Sequence, residues 1–240
     1  MYIDFLMKNV SIFKQYYFYF RYYMNKYINT IIKSSIFDNI EKDEIANILN
    51  NIKAQKKSFI KGNIIVNIGD IVESIYIILE GKVEVSKEYD DAKKNIVNIL
   101  NEGDIFAEAI AFSANKISSI QAISLNDSKI LKIDIENIFY SNKNNIILIQ
   151  NLLRIISDKN KFLAFKNDIL SQKSLRNKII MYLKYMSNIQ KSSNILIPYN
   201  RDKLAEFISA DRSALSRELS KLSKENIIKL DKNKISIINI

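Results

Sequence analysis

All four glycines of the chain fall within one stretch, at Gly62, Gly69, Gly81 and Gly103. The segments between them are short and rich in β-branched residues, as in NIIVNI (63–68) and SIYIILE (74–80). Strands of about five residues separated by glycine turns are typical of an all-β sandwich or barrel. SKILKIDI (128–135) continues the pattern. The sequence therefore predicts a β-domain that ends near residue 135.

Helical patterns flank this β-domain. Residues 25–53 have an apolar helical face that includes Ile45, Ile48 and Leu49. After Asp134, a predicted N-cap, apolar residues recur every seven positions, with Leu152 and Leu153 beside them: Ile149, Ile156, Leu163 and Leu170. This spacing predicts a coiled-coil seam between two copies of the chain. The predicted dimer contacts are Ile149, Leu152, Ile156 and Leu163, and the alternative is a helix packed on its own β-domain.

The C-terminal segment carries most of the excess positive charge. Residues 171–240 hold 14 Lys and Arg against 6 Asp and Glu, whereas residues 1–170 hold 22 against 20. A basic segment beside a nearly neutral one indicates a polyanionic partner for the former.

The same segment predicts a winged helix-turn-helix. SLRNKIIMYLKYM (174–186) is amphipathic, and Asn200 is a candidate N-cap for the next helix. A three-residue turn leads to a second short helix with Asp211 as its N-cap. The chain then ends in two predicted strands around the turn 231–234. Two short helices joined by a tight turn and followed by a hairpin form this motif.

The second of these helices has two different faces. Leu215, Leu219 and Leu222 form an apolar stripe. Beside it lies a face of arginines and hydroxyls without a carboxylate, and we predict that it reads DNA bases: Arg212, Ser213, Ser216 and Arg217. The predicted phosphate contacts are Arg201, Lys221, Lys232 and Lys234. The alternative is a winged helix whose amphipathic helix contacts protein.

Composition excludes several kinds of site. The chain has no Cys and no His, which excludes disulfides, iron–sulfur clusters, His-ligated haem and catalytic His triads. It has no GxGxxG or Walker sequence, and its carboxylates lack a paired base and nucleophile. We therefore expect a protein that is not an enzyme and has no metal site or cofactor.

Residues 1–23 are rich in aromatic residues, as in YYFYFRYY (16–23). Charged residues interrupt them too often for a membrane-spanning helix. One interpretation is an aromatic surface helix for a membrane or a partner. The favoured interpretation is an extension, or translated sequence upstream of a true start at Met24, and we expect no membrane partner.

The sequence resembles the CRP/FNR family of bacterial transcription regulators. The match covers residues 25–240 and is most specific in NRDKLAEFISADRSALSRELSKLSKENII (200–228), where Arg212 and Arg217 occupy the family's two arginine positions. The resemblance implies an α+β fold. An N-terminal double-stranded β-helix or jelly-roll domain similar to cyclic-nucleotide-binding domains (24–142) precedes a long dimerisation helix (143–170). A C-terminal winged helix-turn-helix domain (171–240) follows. It also implies a cytoplasmic homodimer that binds a DNA palindrome and RNA polymerase.

The β-domain has a segment similar to the family's phosphate cassette. The predicted effector pocket comprises Phe106, Ala107, Glu108, Lys116, Ile117 and Ser118. In members that bind cyclic AMP, the resemblance implies a glycine at the position of Ala107 and an arginine where Lys116 or Ile117 stands, and Glu108 would bind a ribose hydroxyl. A Cβ at Ala107 would crowd a phosphate, and a Lys lacks the bidentate fork of an Arg. We therefore expect an effector other than cyclic AMP.

Taken together, these features predict a sequence-specific transcription regulator. The rival prediction is a cyclic-nucleotide-type binding module that regulates a partner protein through its winged helix. That module would show neither sequence-specific DNA binding nor a steep salt dependence.

Overall fold

The chain divides into two compact units, one ending at Ser157 and the other beginning at Asp158. The structure, a computed structural model, describes residues 26–88, 94–140, 145–231 and 234–239. The predicted N-terminal extension (1–23) and the predicted phosphate contact Lys232 lie outside the described residues.

The described part of the first unit begins with helices. Residues 26–31 form α1, Ser35–Phe37 form a 3₁₀ turn, and Lys42–Asn51 form α2. The sequence predicted helical structure throughout 25–53, and the interruption lies where Ser35–Phe37 turns the chain. Ile36, Ile45 and Leu49 are fully buried, so these elements contribute to the core of the unit.

In the described part of the first unit, eight strands follow these helices and form two four-stranded antiparallel sheets. The strands are β1 (Gln55–Phe59), β2 (Ile64–Val66), β3 (Ser74–Glu80), β4 (Val83–Glu88), β5 (Lys94–Leu100), β6 (Ile105–Phe106), β7 (Gln121–Ser124) and β8 (Ser128–Asp134). One sheet has the order β1-β8-β3-β6 and the other β2-β7-β4-β5. Ile77 pairs with Leu131 in the first sheet, and Val85 pairs with Ala122 in the second. All four belong to one core, as expected for a β-roll.

The turn between β3 and β4 requires a glycine. Gly81 has φ +99°, a conformation that residues with a Cβ rarely adopt. A Cβ added there would also collide with the Ser128 hydroxyl and lie 2.9 Å from the Asp127 carbonyl oxygen. The turn therefore depends on both the backbone freedom and the small size of Gly81.

Among the residues that the structure describes, three helices accompany or directly follow the roll. Glu108–Ala111 form α3 after β6, Ile135–Tyr140 form α4 after β8, and Asn145–Leu170 form the 26-residue α5. Asn151 anchors α5 because its Nδ2 donates to the carbonyl oxygens of Ile36 at 2.9 Å and Asp38 at 2.8 Å.

Leu152 of α5 packs in the core of its own unit, where it is 2 % exposed. The sequence placed it on a seam with a second copy, but its side chain is not on an exposed face of α5. Its neighbour Leu153 is 61 % exposed. The exposed side of α5 therefore carries Leu153 in place of Leu152.

The described part of the second unit combines three further helices with a three-stranded sheet. They are α6 (Leu175–Gln190), β9 (Asn194–Leu196), α7 (Arg201–Phe207), α8 (Arg212–Lys224), β10 (Ile228–Asp231) and β11 (Lys234–Ile237). The sheet order is β10-β11-β9. Sequence analysis predicted the hairpin β10–β11 but missed β9, whose Ile195 pairs with Ile235.

The predicted fold class is confirmed: a β-roll of the cyclic-nucleotide-binding type, a long helix and a C-terminal helix-turn-helix with a wing. Within the described residues, no helix combines the length and the apolar character that crossing a membrane requires.

Candidate nucleic-acid interface

A tight turn sets the direction of α8 relative to α7. Ser209 adopts φ +50°, which reverses the chain after α7. The backbone N–H of Ser209 donates to the carbonyl of Glu206 at 3.1 Å, and that of Ala210 donates to the carbonyl of Ala205 at 2.9 Å. This pair of bonds closes the C-terminal end of α7 as a Schellman motif.

Asp211 caps the N-terminus of α8. Its Oδ1 accepts hydrogen bonds from the backbone N–H groups of Ser213 at 2.8 Å and Ala214 at 3.0 Å. The Ser213 hydroxyl donates to the same oxygen. These bonds, with the hydroxyl contributing most, lower the pKa of Asp211 below its usual value. The ionised carboxylate therefore fixes the first turn of the predicted reading helix.

The two faces of α8 are separated as the sequence predicted. Leu215, Leu219 and Leu222 are buried in the core of the second unit. The four predicted base-reading residues are all exposed: Arg212, Ser213, Ser216 and Arg217. Ser213 also uses its hydroxyl as a donor to the cap, so the hydroxyl proton is already engaged.

Arg212 has a partner on α7. Its Nε lies 3.2 Å from Oδ1 of Asp202, and both side chains are more than half exposed. An exposed pair of this kind contributes roughly 0–1 kcal/mol. This ion pair holds Arg212 near α7. Because it is weak, a polyanion can replace Asp202 as the partner of the guanidinium.

The carboxylate that follows Arg217 in sequence is held away from the reading face. Arg176 of α6 places Nη1 3.5 Å from Oε1 of Glu218. Its Nη2 also pairs with Glu225 just beyond α8, and this pairing raises the pKa of Arg176 and lowers that of Glu225. Arg176 therefore pairs with the carboxylate of α8 itself, so the negative charge beside the reading face comes from Asp202 and Asp211.

A surface depression of about 410 Å³ lies along α8, lined by Ser216, Arg217, Ser220, Lys221 and Lys224. Sequence analysis placed Lys221 among the phosphate contacts but missed Lys224. The signal was available, since Lys224 follows Arg217 by two helical turns. All charged groups in this lining are cationic.

The other predicted phosphate contacts differ in accessibility. Arg201, the first residue of α7, is half-buried, and its burial lowers its pKa. Lys234 opens β11 and is exposed. The structure thus places Lys221 and Lys234 in solvent and Arg201 partly within the protein.

The predicted cassette of the first unit turns inward. Ala107 precedes α3 in the left-handed conformation, with φ +65°. Glu108 is 3 % exposed, and Phe106 stacks on Tyr76 with ring centroids 5.2 Å apart. Ala107 therefore holds the backbone conformation that glycine favours and adds a buried Cβ to the cassette.

The remaining cassette residues are engaged within the protein or point outward. Lys116 pairs with Glu73, Nζ to Oε1 at 3.0 Å. Ser118 is buried and donates its hydroxyl to the carbonyl oxygen of Ile120 at 2.8 Å. Ile117 is 53 % exposed, and its backbone forms an isolated antiparallel β-bridge with Ile71. The structure thus buries Phe106, Ala107, Glu108 and Ser118 but not Ile117, and it directs the Lys116 ammonium to a carboxylate.

Among the described residues, no three or more acidic side chains come together in a group that could hold a metal ion.

Two known domain families match the chain in the regions just described. The Cyclic nucleotide-binding domain matches residues 56–139, and the Crp-like helix-turn-helix domain matches residues 177–240. The putative HTH-type transcriptional regulator ycf28 of Porphyra purpurea is 30 % identical over 177 residues, covering 70 % of this chain and 72 % of that protein. The chain belongs to the CRP/FNR family of transcription regulators.

A solved structure supports the fold of this CRP/FNR-family regulator. The catabolite activator protein of Thermus thermophilus is similar with a TM-score of 0.54 and 19 % identity, over 86 % of this chain and 94 % of that one. At this identity, the similarity establishes the architecture alone.

One relative of this CRP/FNR-family regulator is an enzyme. The cAMP/cGMP-dependent 3',5'-cAMP/cGMP phosphodiesterase B of Dictyostelium discoideum is 34 % identical over 119 residues. The match covers 47 % of this chain but 10 % of the enzyme. It is thus confined to a small part of the phosphodiesterase, whereas the match to ycf28 covers most of both proteins.

Proposed function

We propose that this regulator binds a two-fold palindromic DNA site as a homodimer and reads base edges with Arg212 and Arg217. The observation that carries the proposal is the exposed, acid-free face of α8, which three buried leucines orient outward. A bidentate Arg–guanine contact requires such an accessible guanidinium, and Arg217 is exposed.

The hydroxyl and lysine residues have supporting roles. Ser216 lies between the two arginines on the exposed face, so it contacts a base or phosphate next to them. Ser213 contacts DNA through its hydroxyl oxygen as an acceptor, because the hydroxyl donates to Asp211. Lys221, Lys232, Lys234 and Arg201 contact phosphates, which adds affinity that falls with salt but adds no base selection.

The proposed homodimer forms through α5. Leu153 and Leu163 are 61 % and 58 % exposed on this helix, and apolar residues in such a row are typical of a helical interface. A two-fold dimer reads a two-fold palindrome, because each copy presents the same helix to one half-site.

The proposed effector is not cyclic AMP. Three features of the cassette support this: the buried Cβ of Ala107, the engagement of Lys116 by Glu73, and the exposure of Ile117. A phosphate entering this cassette would require Lys116 to leave a carboxylate 3.0 Å away.

Further parts of the proposal follow from composition and family. With no Cys and no His, the protein uses neither an iron–sulfur cluster nor a His-ligated haem, and we propose that it is not an enzyme. As a DNA-binding regulator it acts in the cytoplasm and contacts RNA polymerase at promoters.

Selection of duplexes from a random DNA pool, with and without cyclic AMP, tests the proposal. We expect the same palindrome to be enriched under both conditions. A palindrome enriched only with cyclic AMP would contradict the cassette argument. A single half-site would contradict the dimer. No enrichment with or without cyclic AMP would mean either that an effector other than cyclic AMP is obligatory or that the winged helix contacts protein.

A further inference from the structure

The three-stranded sheet of the second unit has two edge strands, β9 and β10, which flank β11. An edge strand carries a row of backbone N–H and C=O groups that no other strand of its sheet uses. In β9, the carbonyl oxygen of Ser193 accepts from the N–H of Ile237, which lies on β11. Because the direction of these groups alternates along a strand, Asn194 and Leu196 direct theirs away from β11.

Gln190, the last residue of α6, occupies the outer edge of β9 at Leu196. Its Nε2 donates to the Leu196 carbonyl oxygen at 2.8 Å, and its Oε1 accepts from the Leu196 N–H at 2.8 Å. A residue of a neighbouring antiparallel strand would make the same pair of hydrogen bonds. The side-chain amide of Gln190 therefore takes the place that a further strand would need.

The neighbouring outward positions of this edge are closed as well. The Ser192 hydroxyl oxygen accepts from the N–H of Asn194 at 3.0 Å, and the hydroxyl donates to the carbonyl oxygen of Asn194 at 3.1 Å. Pro198, two residues beyond Leu196, has no N–H to offer. Every second residue from 194 to 198 therefore lacks a free N–H for a strand of another chain.

The two edges of this sheet differ in their side chains. β10 exposes Lys229 and Asp231, and charged side chains on an edge strand discourage pairing with another chain. β9 has no charged residue. Leu196 on this strand and Ile189 near the end of α6 are each more than half exposed. With its backbone groups free, β9 would be an uncharged edge with an exposed apolar side chain, which favours strand pairing between molecules.

We propose that Gln190 and Ser192 close an edge through which two copies of this chain would otherwise join their sheets. The excluded partner is a second copy, because β9 of one copy can pair antiparallel with β9 of the other about a two-fold axis. Such a pairing would merge the two sheets into one by strand addition. It would use a surface other than α5, so the inference does not depend on the proposed homodimer.

Gln190→Ala combined with Ser192→Ala in the full chain opens the edge and leaves the pairing of β9 with β11 in place. We expect this variant to self-associate, so its weight-average mass in sedimentation equilibrium should rise with concentration to at least about twice that of the unmodified protein. Asn188→Ala combined with Ser193→Ala changes two exposed residues of the same segment and is the matched control. The control should keep the mass of the unmodified protein.

Hydrogen exchange identifies the surface through which the copies join. In the dilute double variant, the N–H of Leu196 should exchange at least about tenfold faster than in the unmodified protein, because Gln190 no longer accepts it. At concentrations where the variant associates, its exchange should become slow again. An associated variant whose Leu196 N–H still exchanges fast would join its copies elsewhere, and this result would overturn the proposal.

Circular dichroism establishes first that the double variant is folded. A folded double variant with the same mass as the control at all concentrations would also overturn the proposal. If the double variant does not fold, Gln190→Ala alone opens β9 at Leu196, and Asn188→Ala alone is its control. Equal masses of these two single variants at all concentrations would then overturn the proposal, whereas a larger mass for Gln190→Ala would support it.

Discussion

The short helix α3 in the cassette of the first unit and the reading helix α8 of the second unit both follow a non-glycine residue in the left-handed conformation, Ala107 at φ +65° and Ser209 at φ +50°. Beyond these residues the two regions differ. The helix after Ala107 has four residues, and its Glu108 is 3 % exposed. The helix that begins three residues after Ser209 has 13, and its arginines are in solvent.

This difference shows that the same left-handed backbone conformation can precede two different kinds of site. The leucines of α8 supply a buried stripe that fixes the helix, so its opposite face is free for a large polyanion. Two of the four residues of α3, Glu108 and Ala111, are buried, so its charged group is enclosed. The exposure of the charged groups, rather than the turn before the helix, distinguishes the two regions.

The largest effect on stability is expected at Gly81, where a positive φ and close neighbours leave no room for a side chain. Gly81→Ala should destabilise the first unit by about 2–4 kcal/mol, because it adds a clash with Ser128 to an unfavourable φ. Urea unfolding followed by circular dichroism measures the change. A decrease of less than about 1 kcal/mol in the free energy of unfolding would show that the turn relaxes. Position 81 would then tolerate a side chain at positive φ, as positions 107 and 209 do.

The next effect concerns the exposed face of α8. Arg217→Lys keeps the charge but removes the bidentate fork, so it should reduce discrimination between the selected and a scrambled duplex by about 1–3 kcal/mol. Titrations at fixed salt measure both affinities. Lys229→Arg, at an exposed position on β10, is the control, and unchanged discrimination by Arg217→Lys would exclude base reading by this residue.

Smaller effects are expected at the two compared positions themselves. Ala107→Gly and Ser209→Gly should each stabilise the protein by roughly 0.5–1 kcal/mol, because glycine adopts positive φ without steric strain. Thermal unfolding of the two variants provides the comparison. Destabilisation by Ala107→Gly alone would mean that the buried methyl contributes more by packing than it costs in backbone strain.

The smallest effect is a pH dependence at the start of α8. The folded protein lowers the pKa of Asp211, so its stabilising contribution is complete above the ordinary carboxyl pKa and is lost as the pH falls through the lower folded value. Asp211→Asn retains a cap without a charge, so it should flatten the dependence of stability on pH in this acidic range. If the stability of the unmodified protein and that of the Asp211→Asn variant changed equally with pH in this range, Asp211 would not be the group responsible for the pH dependence.

Local signals made much of the second unit predictable. The N-caps Asn200 and Asp211 each act on residues within three positions, and both bonds are confirmed. The apolar stripe of α8 is a pattern within one helix, so burial of its three leucines was also predictable.

Interactions between distant parts of the chain were not predictable in this way. Lys116 pairs with Glu73, 43 residues earlier, and Arg176 pairs with Glu218, 42 residues later. A single sequence contains no pattern that would predict either ion pair. Leu152 was ambiguous for another reason, because its spacing fits the core-facing stripe of α5 as well as a seam with a second copy.

The ion pairs of Arg176 have a consequence for how such a regulator evolves. They fasten α8 at Glu218 and Glu225, away from the face that carries Ser216 and Arg217. Those two exposed side chains lie outside the core of the unit, so their replacement should leave the fold nearly unchanged. During evolution, substitutions at these two positions can therefore change which operator sequence the regulator binds, and selection for stability does not oppose them.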